Sequence, residues 1–171
     1  MSNIPFKFPL LYAKSIAESN FDNLDQLLYK IIEIIREHTR KYMHITTEPP
    51  SVIPEKEKLI RIPSHTILIE YSTTFPPNRS GEFERPNIIR LNKLRFEKLF
   101  AKYKSSNQFE KDIATLLIFN TIVHEYAHYL QQYVFFGHKR VEADPEAFAR
   151  YFTGIDIKSL WMLSNMLGIE S

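Results

Sequence analysis

Apolar residues recur at three- and four-residue steps through the stretch SSNQFEKDIATLLIFNTIVHEYAHYLQQYVFF. They include Ile113, Leu116, Leu117, Val123, Ala127, Leu130 and Val134, with Asn120 on the same stripe. This spacing predicts a long, mostly buried helix. Ser106 or Asn107 is placed to cap it, Glu110 falls in its first turn, and Gly137 is the expected stop. A second periodic stretch, with Leu24, Leu27, Leu28, Ile31, Ile32 and Ile35, predicts a helix over about 22–43, capped by Asn20 or Asp22. Residues 1–19 carry prolines at 5 and 9 and have no clear period.

The pattern changes after residue 43. TTEPPSVIPEKEK reads as a loop or linker. In KLIRIPSHTILIEYST, Ile67, Ile69 and Tyr71 alternate with Thr66, Leu68 and Glu70, which predicts β structure interrupted at Pro63. TFPPNRSGEFERP reads as a turn-rich loop. NIIRLN over 87–92 reads as a short strand, whose Asn92 caps the helix KLRFEKLFAKY. Beyond Gly137, DPEAFARYF predicts a fresh helix capped by Asp144 with Pro145 in its first turn. SLWMLSNML predicts a last short helix stopped at Gly168. Strands followed by helices indicate an α+β fold. A helical segment over 1–50 and a core over 58–171 make up one domain.

Within the long helix, HEYAH sets His124 and His128 four residues apart, hence on one face and one turn apart. Two neutral imidazoles so placed can share a divalent cation such as zinc, with Zn–N distances of about 2.0–2.1 Å. Glu125 is rotated by roughly 100° about the helix axis from His124. It is poorly placed to join them as a ligand and well placed to act as general base toward a water activated by the metal. The candidates for a third ligand downstream are His138, Glu142, Asp144 and Glu146. His138 suits a charge at the helix end or a group on the substrate side, and Asp144 suits the helix cap. The choice of ligand is therefore between Glu142 and Glu146.

HEYAH followed by VEADPEAFARYF resembles the gluzincin branch of the zincin metallopeptidases, minigluzincins included. The resemblance implies a small zincin-like domain: a mixed sheet packed on the long metal-binding helix, with a further helix bearing a glutamate. It implies a Zn2+ cofactor and a peptide or protein substrate received along an edge strand. Laid onto the pattern E-x-x-A-E-x-F-A, Glu142 is the ligand and Glu146 the acid that hydrogen-bonds the first histidine. The reverse assignment stays open, and Pro145 departs from the pattern. Ala147, Phe148 and Ala149 match the run that packs beneath the site. Transition-state stabilisation falls to Tyr151 or His138, with Tyr71 and Arg150 as further candidates. The segment 1–50 is a candidate cover for the cleft, by likeness to minigluzincins that carry a blocking segment. Trp161 and Phe148 read as core residues, and His38, His44 and His65 as surface or internally satisfied ones.

Composition trims the alternatives. The 171 residues suit one domain with a real core, and 22 basic against 20 acidic side chains give a net charge of +2, too little to argue for nucleic acid. With no cysteine, a metal site must use His, Asp or Glu. No apolar run reaches the roughly 18 residues that span a bilayer, and the first residues lack the order of a secretory signal. The expectation is a cytoplasmic protein acting away from membranes. Two rival readings remain: a non-proteolytic binding or regulatory protein on a zincin-like scaffold, and a helical interaction protein without metal.

Overall fold

A computed structural model describes residues 4–133 and 143–168 of the chain. The expected stop at Gly137 and the stripe residue Val134 lie outside them. Among the described residues the order is α1 (Ile4–Ser19), α2 (Leu24–Tyr42), β1 (Ile45–Thr46), β2 (Ile60–Arg61), β3 (Leu68–Ser72), β4 (Gly81–Glu84) and β5 (Ile88–Asn92). Then follow α3 (Lys93–Tyr103), α4 (Gln108–Gln131), α5 (Ala143–Thr153) and α6 (Ile157–Met166). The class is α+β.

The long helix α4 is the spine. All of α1, α2, α3, α5, α6, β4 and β5 contact it. Ile113, Ile118, Phe119, Ile122, Val123, Ala127 and Leu130 are buried along it, on more than one face. A helix buried all round needs no amphipathic stripe of its own. The Asn107 side chain accepts from the Glu110 amide, satisfying a donor that the first turn leaves unpaired. The helix ends at Gln131, before the expected glycine, with the Gln132 and Tyr133 amides bonded to the Tyr129 and Leu130 carbonyls in a tightened last turn.

The three-stranded sheet has order β3-β5-β4, with β3 parallel and β4 antiparallel to β5. Strict alternation sorts its faces. Phe83, Ile89 and Leu91 are buried, while Arg90 on the opposite face is bonded by Glu82 at 2.9 Å, Glu84 at 2.6 Å and Glu70 at 3.2 Å. β4 falls within the stretch expected to be a loop. Its four residues still alternate, but prolines and polar turn residues on both sides mask the signal. A separate parallel pair joins β1 and β2.

Helix α1 replaces the unreadable N-terminal stretch. Pro5 sits in its first turn, where the missing N–H costs nothing. Ala13, Ile16 and Ala17 bury against the body of the protein, and tertiary packing of this kind outweighs the poor local propensity around Pro9. Asn23 caps α2, accepting from the Gln26 amide at 3.2 Å. The expected caps, Asn20 and Asp22, instead accept from the Lys104 ammonium at 3.3 and 3.1 Å, which fixes the α1–α2 turn against α3. Asn92 caps α3 through the Arg95 amide, as its sequence predicts. Asp144 is not the cap of α5: the helix begins at Ala143, so Asp144 and Pro145 both lie in its first turn.

Leu27, Leu28, Ile31 and Ile35 are fully buried in α2 and share one core with α4. Leu28→Ala is expected to cost about 2–5 kcal/mol, the range for a large-to-small change in a packed core. The midpoint of urea unfolding reads this loss, and a shift corresponding to less than about 1 kcal/mol would show that α2 is not integral to the core.

Candidate functional site

His124 and His128 occupy adjacent turns of α4, with ring centroids 5.1 Å apart and ring planes at 70°. His128 is buried and His124 partly exposed. The His128 Nδ1–H donates to Gln131 Oε1 at 2.8 Å. With Nδ1 committed as the donor, the ring carries its lone pair on Nε2, the tautomer a metal ligand requires. Gln131, three residues on, is thus a positioning residue that the sequence reading missed. Its signal was a polar side chain at i+3 on a buried helix face.

Glu125 is 7% exposed and, with His124, lines a cavity of about 260 Å³. Glu146 of α5 reaches the same cavity, as do Arg95 of α3 and Trp161 of α6. The structure therefore brings together His124, Glu125 and Glu146, with His128 beside His124. Ser80 and Gly81 complete one wall at the start of β4. Gly81 permits that approach: a Cβ there would stand 3.0 Å from the Arg90 carbonyl oxygen and 3.3 Å from Thr121 Cγ2 of α4.

Glu142 and His138 lie outside the described residues. Among the described residues no group of three or more His, Asp or Glu side chains is gathered closely enough to hold a metal ion. Glu146 shares the cavity without closing the histidine pair into a three-donor cluster. Phe148 and Ala149 of the expected packing run are buried, while Ala147 faces outward.

Arg95 and Trp161 were not anticipated at the site. Arg95 lies on the buried stripe of α3 with Phe96, Leu99 and Tyr103, and its Nη2 donates to Ser164 Oγ of α6 at 3.0 Å. A charge on the apolar face of an amphipathic helix was the readable signal. Trp161, expected in the core, is 53% exposed at the cavity. A larger groove of about 420 Å³ between α1 and α4, lined by Ala13, Ala17, Thr115 and Leu116, lies elsewhere. No described residue lining the His124 cavity comes from segment 1–50.

Tyr151, expected as a transition-state stabiliser, is placed away from the cavity. Its hydroxyl bonds His38 Nε2 at 3.0 Å, on the other side of α5 from Glu146, and does not line the cavity. Positions 146 and 151 differ by five residues, which turns their side chains well apart around a helix. Tyr71 is also remote, bonded to Asp25. Arg150 is exposed and outside the cavity lining. His65 is satisfied by the hydroxyls of Tyr129 and Tyr133. His38 is 2% exposed, held by Tyr12 at Nδ1 (3.1 Å) and Tyr151 at Nε2 and enclosed by Tyr42 and Phe152.

Comparison of the chain with protein-family models, with curated proteins and with solved structures returns no match.

Burial pushes the His38 imidazole below its ordinary value of 6.5. The folded state therefore takes up fewer protons than the unfolded chain as pH falls. The stabilisation from the neutral ring is complete above about pH 6.5 and declines below it, toward the lowered folded value. In His38→Gln this part of the pH dependence is expected to vanish. Unfolding midpoints at pH 7.5 and 5.0 check it: an equal pH sensitivity in the variant would exclude His38 as its source.

Proposed function

We propose that this chain is a zinc-dependent metallopeptidase of zincin type, with His124, His128 and either Glu142 or Glu146 as the zinc ligands and Glu125 as general base. The observation that carries the reading is the pairing of a ligand-ready His128, oriented by Gln131, with a neighbouring His124 and a buried Glu125 that face one cavity. The donor types fit zinc: neutral imidazoles and carboxylates, with no thiolate in the chain. Glu142 precedes α5 by one residue in the sequence, and Glu146 on that helix already reaches the cavity.

Zinc held by these residues would supply Lewis-acid chemistry, lowering the pKa of water and polarising a carbonyl. Glu125 would accept the proton of the attacking water and deliver it to the departing amine. This role needs a carboxylate within reach of the cavity and shielded from bulk solvent. The α4 scaffold fixes Glu125, because burial on several sides leaves the helix no freedom to rotate. β4 supports a peptide substrate in particular. Among the described residues it ends the strand order, so that one of its edges has no neighbouring strand, and its first residue lines the cavity. An extended peptide can add to such an edge through main-chain hydrogen bonds.

Two substitutions test the roles. Glu125→Gln is expected to keep about one equivalent of zinc per chain and to lose about 10²–10⁴-fold in peptide hydrolysis. Zinc content by elemental analysis and digestion of a peptide library, with and without chelator, supply the two readouts. Zinc retained with no cleavage by the unmodified chain would favour the non-proteolytic binding protein, and no zinc after reconstitution would overturn both. Gln131→Ala is expected to weaken zinc affinity about 10–100-fold while the fold persists. Unchanged affinity would show that His128 does not depend on its amide partner.

A further inference from the structure

Arg95 is the most deeply placed cation at the site, 7% exposed, and burial lowers its pKa. It forms part of the wall of two cavities. One is the His124–Glu125 cavity; the other, of about 330 Å³, is lined also by Phe75, Pro77, Leu94 and Lys98. Among the described residues lining this second cavity, Arg95 and Lys98 are the charged ones, and both are cations. The apolar Phe75, Pro77 and Leu94 share the rest of that wall with Gly168 and with Asn92, whose side-chain amide donates to the Pro76 and Arg79 carbonyls. The two cavities thus share the Arg95 guanidinium as wall, with acid–base groups on one side and a cationic chamber, apolar over most of the remaining wall, on the other.

Desolvating a guanidinium is costly, and its planar fork matches a carboxylate better than any other common group. The hydrogen bond from Nη2 to Ser164 holds the fork in place from α6, which preorganises it. We propose that the second cavity is the subsite for the residue on the carboxyl side of the cleaved bond, and that Arg95, with Lys98 at its rim, binds a carboxylate carried by that residue. The proposal rests on the peptidase reading. The carboxylate has two sources, the α-carboxylate of a C-terminal residue or an acidic side chain within a longer peptide. The apolar walls of Phe75, Pro77 and Leu94 suit the first, in which an apolar side chain accompanies the charge. An enzyme so built removes residues from peptide C-termini.

The test uses the zinc-reconstituted full chain in two measurements. In the first, acetylated peptide libraries are digested in three forms: free C-terminal acids, C-terminal amides, and amides enriched in Asp and Glu. In the second, calorimetry on Glu125→Gln compares N-acetylglycyl-phenylalanine, its amide, and the amide of N-acetylglycyl-aspartate. The acid is expected to bind at least about tenfold more tightly than its amide, as a charge-assisted pair implies. Arg95→Gln removes that preference, and Lys98→Gln, a change at an exposed position that leaves the core untouched, reduces it severalfold. Tight binding of the aspartate amide in place of the free acid supports the subsite and assigns the charge to a side chain. Equal binding of acid and both amides overturns the proposal, and so does a preference that survives both substitutions. Cleavage indifferent to the carboxylate sinks the subsite and leaves the peptidase reading standing. A carboxylate preference in binding without any cleavage overturns the peptidase reading and, with it, the assignment of the cavity to one side of a cleaved bond, leaving Arg95 as a carboxylate-binding group.

Discussion

Burial of α4 on several faces from Ile113 onward is the constraint from which the rest follows. Five helices and two strands need this one helix to cover their apolar faces, so its register and rotation are fixed by many contacts at once. Thr115, Glu125, His128 and Gln131 are nonetheless buried on it. An unsatisfied polar group in such a place costs on the order of 1–3 kcal/mol, so each must be answered locally. Thr115 donates to the Lys111 carbonyl within its own helix, and His128 pairs with Gln131 one turn on. The polar side chains of the site are thereby held by the same element that holds the core. This differs from a site assembled on surface loops, where geometry relaxes independently of the fold.

The sheet serves that helix on one side only. Phe83, Ile89 and Leu91 face inward, and the opposite face carries the Arg90 cluster of carboxylates. Alternation thus puts a charged surface on one side of three short strands and an apolar one on the other. Gly81 lines the cavity where β4 lies close to both neighbours: a Cβ there would meet the Arg90 carbonyl oxygen of β5 first, and Thr121 of α4 as well.

How much was legible followed from how local each signal was. α2, the Asn92–α3 junction, α4 and α6 combine periodicity with a capping residue, and all are present close to where the sequence places them. α1 and β4 depend on partners distant in sequence: α1 on α4 and α5, β4 on β5. No window around Pro9 or around FPPNRSG contains that information. The cap of α2 moved to Asn23 because Lys104, about eighty residues on, captures both rivals. At the site, HEYAH was readable because a turn of helix is itself a local object. For Arg95 the sequence showed a charge on an apolar helix face but not its place at the site, which comes from the cavities it borders. The place of Tyr151 was not legible either, since it depends on which way α5 turns; its hydroxyl bonds His38.

His38 and His128 show why two buried imidazoles in one protein are suited to different work. His38 has a phenol at each ring nitrogen, so both its donor and its acceptor are used inside the fold. Such a ring ties α1, α2 and α5 together and has no lone pair left to offer a cation. His128 is matched on Nδ1 by an amide carbonyl oxygen, a group that can only accept, which forces the proton onto Nδ1 and the lone pair onto Nε2. A phenol in the position of Gln131 would accept or donate with equal ease and would leave the tautomer undecided. The identity of the hydrogen-bond partner, more than burial or spacing, therefore separates a histidine that stabilises a core from one prepared to bind a metal. On the proposed reading, His128 is the one whose partner on Nδ1 suits it to a metal.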